Sequence, residues 1–170
     1  MSETLSILRA AWPILRRSIF SGQLLRPQCE LVEPHPDVEP CYDVRIPMRE
    51  GFALTANVFR SRARTARGEK SPVVMCAHPY DNQLLPALEK TPLGGPPQQY
   101  RLLPQAGGRP RFSTLTSWES PDPSFWVPAG YTLVNLNLPG FSSSGGPASI
   151  MSQHQGRCYR EAIAWVGAQD

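Results

Sequence analysis

The chain reads as an α/β protein with an incomplete sheet: an antiparallel hairpin plus two parallel strands joined by crossover helices. Three observations carry this. Two period-2 runs flank a glycine turn near residue 50. Two short, continuously apolar runs lie further on, at residues 72–77 and 131–138. A helix-forming segment precedes the second run and another follows it. Alternation marks strands with one buried face, whereas an unbroken apolar run fits a strand buried on both faces of a parallel sheet. The 170 residues, 41% hydrophobic and 18% charged, are enough for one globular core.

The elements follow in order. Residues 1–40 are expected to be an N-terminal amphipathic helix and a Pro-rich connector. Leu5, Leu8, Trp12, Leu15 and Ile19 share a helical face, with Arg9, Arg16 and Arg17 between them and Pro13 interrupting the run. Packing on its own domain is the expectation for this helix, with a membrane-surface helix or an organelle-targeting segment as the alternatives. The rest, residues 41–170, forms the partial α/β domain. Val44, Ile46 and Met48 alternate with polar positions, as do Leu54, Ala56 and Val58 after the turn at Arg49-Glu50-Gly51. Gly51 is the residue that accepts positive φ there. Arg60, Arg62, Arg64, Arg67 and Lys70 then form a basic run expected to be a solvated loop.

The first buried strand, "PVVMCA", ends at His78-Pro79-Tyr80-Asp81-Asn82. A long Pro/Gly loop over residues 83–117 leaves from beside that cluster, which suits a site-covering role. A short helix is predicted next, with Asp122 as N-cap, Pro123 at N1 and Gly130 at the stop. It feeds "YTLVNLNL", so strand, helix and strand make one right-handed crossover. The last helix, residues 152–168, starts at a capping Ser152 and presents Tyr159, Ala162, Ile163 and Val166 as its apolar face. His154 is expected to face solvent near its start.

Composition excludes several classes. A net charge of +3 is weak for nucleic acid, and the basic run carries no aromatic residues on which bases could stack. No apolar run reaches transmembrane length. Cys29, Cys41, Cys76 and Cys158 form no C-x-x-C pair, so neither a metal nor a cofactor is implied. Without a recognisable secretory signal, reduced cysteines in the cytoplasm are the simplest expectation.

Ligands of open parallel sheets bind beyond the carboxyl ends of the strands. Two polar clusters belong there: His78 to Asn82, and Pro139-Gly140-Phe141-Ser142-Ser143-Ser144-Gly145-Gly146. Ser142 sits in a string resembling the start of a nucleophile elbow. An elbow needs a helix directly after the serine, and Gly145-Gly146-Pro147 resists one, so Ser142 reads as a loop serine. His78 has no evident serine or cysteine partner. Tyr80 fits two roles: plugging the strand end, or aiming its hydroxyl at a developing oxyanion.

The order "IPMREGFALTANVFR", "PVVMCAHPYDN", "PDPSFWVPAGYTLVNLNLPGFSSSGG", "YREAIAWVGAQD" resembles the start of the catalytic domain in the cocaine-esterase-like and X-Pro dipeptidyl-peptidase group of α/β-hydrolases, over residues 42–170. The resemblance implies the N-terminal part of an α/β-hydrolase fold and serine hydrolysis of a small-molecule ester or peptide substrate. It assigns Tyr80 as an oxyanion-hole donor. It also implies a post-strand loop reading D-x-R-G-x-G-x-S-x-G. This chain matches at Gly140 and Ser144 but has Asn137, Pro139 and Ser142 where Asp, Arg and Gly are expected. The family's nucleophile, acid and histidine come later than residue 170. The expectation is therefore an N-terminal fragment, inactive alone. The alternative is a non-catalytic interaction protein that self-associates through an exposed sheet edge.

Overall fold

The computed structural model describes residues 30–82, 111–117 and 119–169, together with Trp12, Pro13 and Arg16. The expected N-terminal helix otherwise lies outside the described residues, as do residues 83–110 of the long loop. The elements run β1 (Glu30–Val32), β2 (Val38–Pro47), β3 (Ala53–Ser61), α1 (Arg62–Ala66), β4 (Val73–His78), β5 (Arg111–Ser113), α2 (Pro123–Trp126), β6 (Thr132–Asn137) and α3 (Gln153–Gly167). A four-stranded sheet has the order β2-β3-β6-β4. β2 and β3 form the expected hairpin, β3 pairs antiparallel with β6, and β6 pairs parallel with β4.

The hairpin closes with Met48 N donating to Phe52 O at 2.8 Å, and Gly51 takes φ +88°. β2 starts at Val38, earlier than its alternation suggested, because Val38 is buried against Phe59 and Leu133. Pro40 is tolerated there, since among the described residues β2 lies at the edge of the sheet, where a missing ladder donor costs least. A bulge between Cys41 and Val44 puts Asp43 at φ +54° and brings its N–H to Asn57 Oδ1 at 3.3 Å.

Three expectations need correcting here. The connector and the long loop each contribute a strand: β1 and β5 pair in parallel, with Glu30 and Arg111 in register and ion-paired at 3.2 Å. The basic run is not all loop. Arg62–Ala66 is a short helix, capped by Ser61 Oγ on Arg64 N and by Asp37 Oδ1 on Ala63 N. The hydrogen bond from Ser61, then that from the Ala63 backbone, hold the Asp37 carboxyl below its ordinary pKa. Finally, β4 is half-buried rather than buried along most of its length, because among the described residues it has one strand neighbour, β6.

The sheet has two faces. Ile46, Leu54, Ala56, Val134 and Leu136 pack on one side against Cys158 and Ala162 of α3. Tyr159, Trp165 and Val166 flank that contact, while Ile163, expected on the inner face, is half-exposed. Ala162 faces the sheet squarely, which turns its neighbour Ile163 about 100° around the helix. On the other side Val38, Phe59 and Leu133 pack against Leu115 and Val127. α2 and α3 begin as expected: Asp122 accepts from Ser124 N and Ser152 from Gln155 N.

The second face changes character along its length. Its apolar row holds Phe59 and Leu133. The next rows pair Asn57 with Asn135 and bring His78 level with Asn137. Asn57, Asn135, Asn137 and Thr55 are all buried, so this end of the sheet must find hydrogen-bond partners in the loops above it.

Candidate active site at the ends of the parallel strands

β4 and β6 end together, with His78 opposite Asn137, so both polar clusters leave from one edge. They meet there: Ser142 Oγ donates to Asp81 Oδ1 at 2.8 Å. The juxtaposition expected from the two strand ends is therefore present.

The segment carrying Tyr80 is held on both sides. Asn82, 1% exposed, donates its N–H to Asn137 Oδ1 at 3.1 Å and its Nδ2 to Asn135 O at 2.7 Å. Its carbonyl accepts from Asn57 Nδ2 at 3.2 Å. On the other side His78 is buried, with Nε2 2.7 Å from Ser120 Oγ. Burial lowers the His78 pKa, with the Tyr80 backbone and the Glu119 carboxylate acting the other way. Between these fixed points Tyr80 turns outward, 38% exposed, its ring 5.8 Å from the His78 ring.

The second loop is ordered without the charged pair that the resemblance implied. Asn137 stands where an Asp is usual and both accepts and donates: Oδ1 takes the Asn82 N–H, and Nδ2 gives to Thr55 Oγ1 at 3.0 Å. Pro139 stands where an Arg is usual. A neutral amide fits a buried position where none of the described hydrogen bonds comes from a guanidinium, since a lone buried carboxylate is costly. Ser144 Oγ accepts from Thr55 N at 2.9 Å and donates to Asn137 O at 2.8 Å. Gly140, at φ +73°, lies so close to Ala148 that a Cβ would come 2.4 Å from its nitrogen. Ser142 occupies φ +50°, and no helix follows until Gln153, so it is a loop serine and not an elbow.

Several residues escaped the sequence reading. His78 has a serine partner after all, Ser120, which lies 42 positions along the chain and in turn accepts from Ser117. Thr55 and Asn57 look like ordinary outward positions of a hairpin strand, yet both are buried under the site. The detectable signal was parity: "LTAN" and "NLN" place their polar residues on one face once β3 and β6 pair. His154 does not face solvent freely. Its Nε2 is 3.0 Å from Glu50 Oε2 and 3.7 Å from Cys158 Sγ. Among the described residues no three His, Cys, Asp or Glu side chains are placed to hold a metal ion, and no helix is long and apolar enough to cross a membrane.

A hairpin leading into parallel strands, with loops converging at their carboxyl edge, defines the N-terminal part of an α/β-hydrolase domain. The particular family follows from comparison. The profile of the X-Pro dipeptidyl-peptidase (S15) family matches residues 50–170, and the chain belongs to that family. Two crystal structures of a CocE/NonD family hydrolase from Staphylococcus aureus are similar in fold. One matches at 32% identity with a TM-score of 0.58, the other at 30% with 0.54. Each alignment covers 78% of this chain and 21% of that one, so the chain spans about a fifth of their length. No curated protein matches it. The matched part of the chain is thus similar in fold to the corresponding part of a CocE/NonD family hydrolase.

Proposed function

We propose that this chain supplies the oxyanion-donor part of a serine hydrolase site acting on ester or amide bonds, Pro-containing peptides included. Tyr80 is the donor. The supporting observation is the double restraint of its segment: buried Asn82 bonded through three groups on one side, and buried His78 bonded to Ser120 on the other. A donor contributes most when it is fixed before the reaction, because no reorganisation is then needed as charge develops on the carbonyl oxygen. In the tetrahedral intermediate the Tyr80 hydroxyl would donate to that oxygen, a contribution of about 10²–10³ in kcat for one such donor.

These 170 residues hold no G-x-S-Y elbow, so acyl transfer by this stretch alone is not expected. The substrate is a small ester or peptide rather than nucleic acid, a reading consistent with the pairing of Arg62 and Arg67 with Glu39 and Glu69. Free thiols at Cys41, Cys76 and Cys158 fit a reducing compartment such as the cytoplasm. A second reading is a non-catalytic role in which β4 self-associates. It is favoured by the half-exposed apolar character of that strand and its single strand neighbour among the described residues.

The test is a pair of assays with p-nitrophenyl acetate and a fluorophosphonate probe. The isolated chain should neither turn over the ester nor take up the label. Residues 42–170 grafted in place of the matching part of the Staphylococcus aureus hydrolase should give an active enzyme. Labelling of the isolated chain that disappears on Ser142→Ala, or a folded but inert graft, would contradict the proposal.

A further inference from the structure

A chain of side chains runs behind the sheet edge and joins the two ends of the Tyr80 segment. Asn82 Nδ2 donates to the Asn135 carbonyl, and Asn135 Nδ2 donates to Ser117 Oγ at 3.3 Å. Ser117 Oγ donates to Ser120 Oγ at 2.7 Å, and Ser120 Oγ lies 2.7 Å from His78 Nε2. The direction of this chain has a chemical consequence. The Ser117 proton already points at Ser120, so the Ser120 proton is the one left for His78. Cys76 also bonds Ser120, so that proton has two acceptors within reach; directed at His78, it makes Nε2 the acceptor and leaves the neutral ring's own proton on Nδ1.

A serine and a histidine at this distance could also be a nucleophile and its base. Two observations argue against that. Among the described residues no carboxylate bonds His78 Nδ1, so none orients the ring as a triad requires. Ser120 also accepts from Ser117 and is only partly exposed, while Tyr80 is the exposed group.

Resting on the donor reading of Tyr80, we infer that His78 is its positioning residue. Fixed as the Nδ1–H tautomer by Asn135, Ser117 and Ser120, the imidazole presents one face orientation to the phenol ring, 39° from its plane. An imidazole without that bond has roughly two-fold freedom about its outer torsion, and the ring beside it loses a fixed wall. The Ser117–Ser120 hydroxyl pair thus sets the pose of Tyr80 without touching substrate.

Long-range ¹⁵N spectra of the 170-residue chain test this directly. At neutral pH, His78 should show a protonated Nδ1 and an unprotonated Nε2. Ser120→Ala should give a mixture of tautomers and move or broaden the Tyr80 ring resonances. Ser117→Ala should shift the same signals less, and Ser120→Thr, which keeps the hydroxyl, should restore them. A protonated Nε2 in the unaltered chain overturns the inference even if Ser120→Ala fails to fold. So does a Ser120→Ala chain whose tautomer and Tyr80 signals are unchanged. The donor role of Tyr80 fails separately: kcat of the grafted hydrolase would survive Tyr80→Phe while the His78 tautomer stayed as described.

Discussion

Ser144 offers the sharpest test of how the site is built. The β3–β6 ladder ends at Ala56 opposite Leu136. The next pair would be Thr55 and Asn137, but the strands are bridged there by the Ser144 hydroxyl instead, 2.9 Å from Thr55 N and 2.8 Å from Asn137 O. The side chain replaces a rung of the sheet and ties the second loop down in one step. Ser144→Ala leaves a buried N–H and a buried C=O without this partner. Each such group costs about 1–3 kcal/mol, so the substitution should destabilise the chain by roughly 2–5 kcal/mol. For a chain of this length that is a fall in Tm of roughly 5–15 °C. Urea unfolding followed by far-UV circular dichroism measures it. Ser142→Ala, which removes one bond from an exposed hydroxyl, should stay within about 1 kcal/mol of the parent. A Ser144→Ala chain within about 0.5 kcal/mol of the parent would refute the bridging role.

Three further outcomes follow from the same network. Asn137→Asp puts a carboxylate in a buried site whose partners among the described residues are uncharged, at a cost of about 2–4 kcal/mol near pH 7. Its folded-state pKa would lie above the unfolded value, so the loss should shrink as pH falls toward that value, a trend read from urea midpoints across pH. Gly140→Ala should cost more than about 2 kcal/mol, since its Cβ meets the Ala148 backbone at positive φ. Gly51→Ala, also at positive φ but with open space around it, should cost about 1–2 kcal/mol, and thermal melts separate the two. His78 has a lowered pKa when folded, so below about pH 6.5 the unfolded chain binds the additional proton and stability falls as pH drops. Urea midpoints at pH 7.5 and 5.5 should show that slope, and His78→Gln should flatten it.

The elements that could be read from the sequence were those whose signals are local. The Gly51 turn, the Asp122 and Ser152 caps and the continuous run of β6 each specify their structure from a few adjacent residues. β1 and β5 could not be read, because three residues show no period and their pairing spans the long loop. α1 depends on Asp37, a cap from outside its own segment. The edge that carries Tyr80 was visible, because both strands stop at polar clusters. The asparagine network beneath it was not. Asn57, Asn82, Asn135 and Asn137 are stable when buried only because each finds a partner on a different segment. The loss of the family's Asp and Arg looked like a loss of order in the second loop. In the fold, an amide, a serine bridge and the close approach of Gly140 to Ala148 take over that task.

The central claim, that residues 78–82 deliver a preformed oxyanion donor, is tested most directly by Tyr80→Phe in the grafted hydrolase. Removal of one fixed donor should lower kcat by about 10²–10³. KM and the melting temperature should change little, because the ring is partly exposed and its pose is set by His78 and Asn82. An unchanged kcat in a folded enzyme would contradict the account.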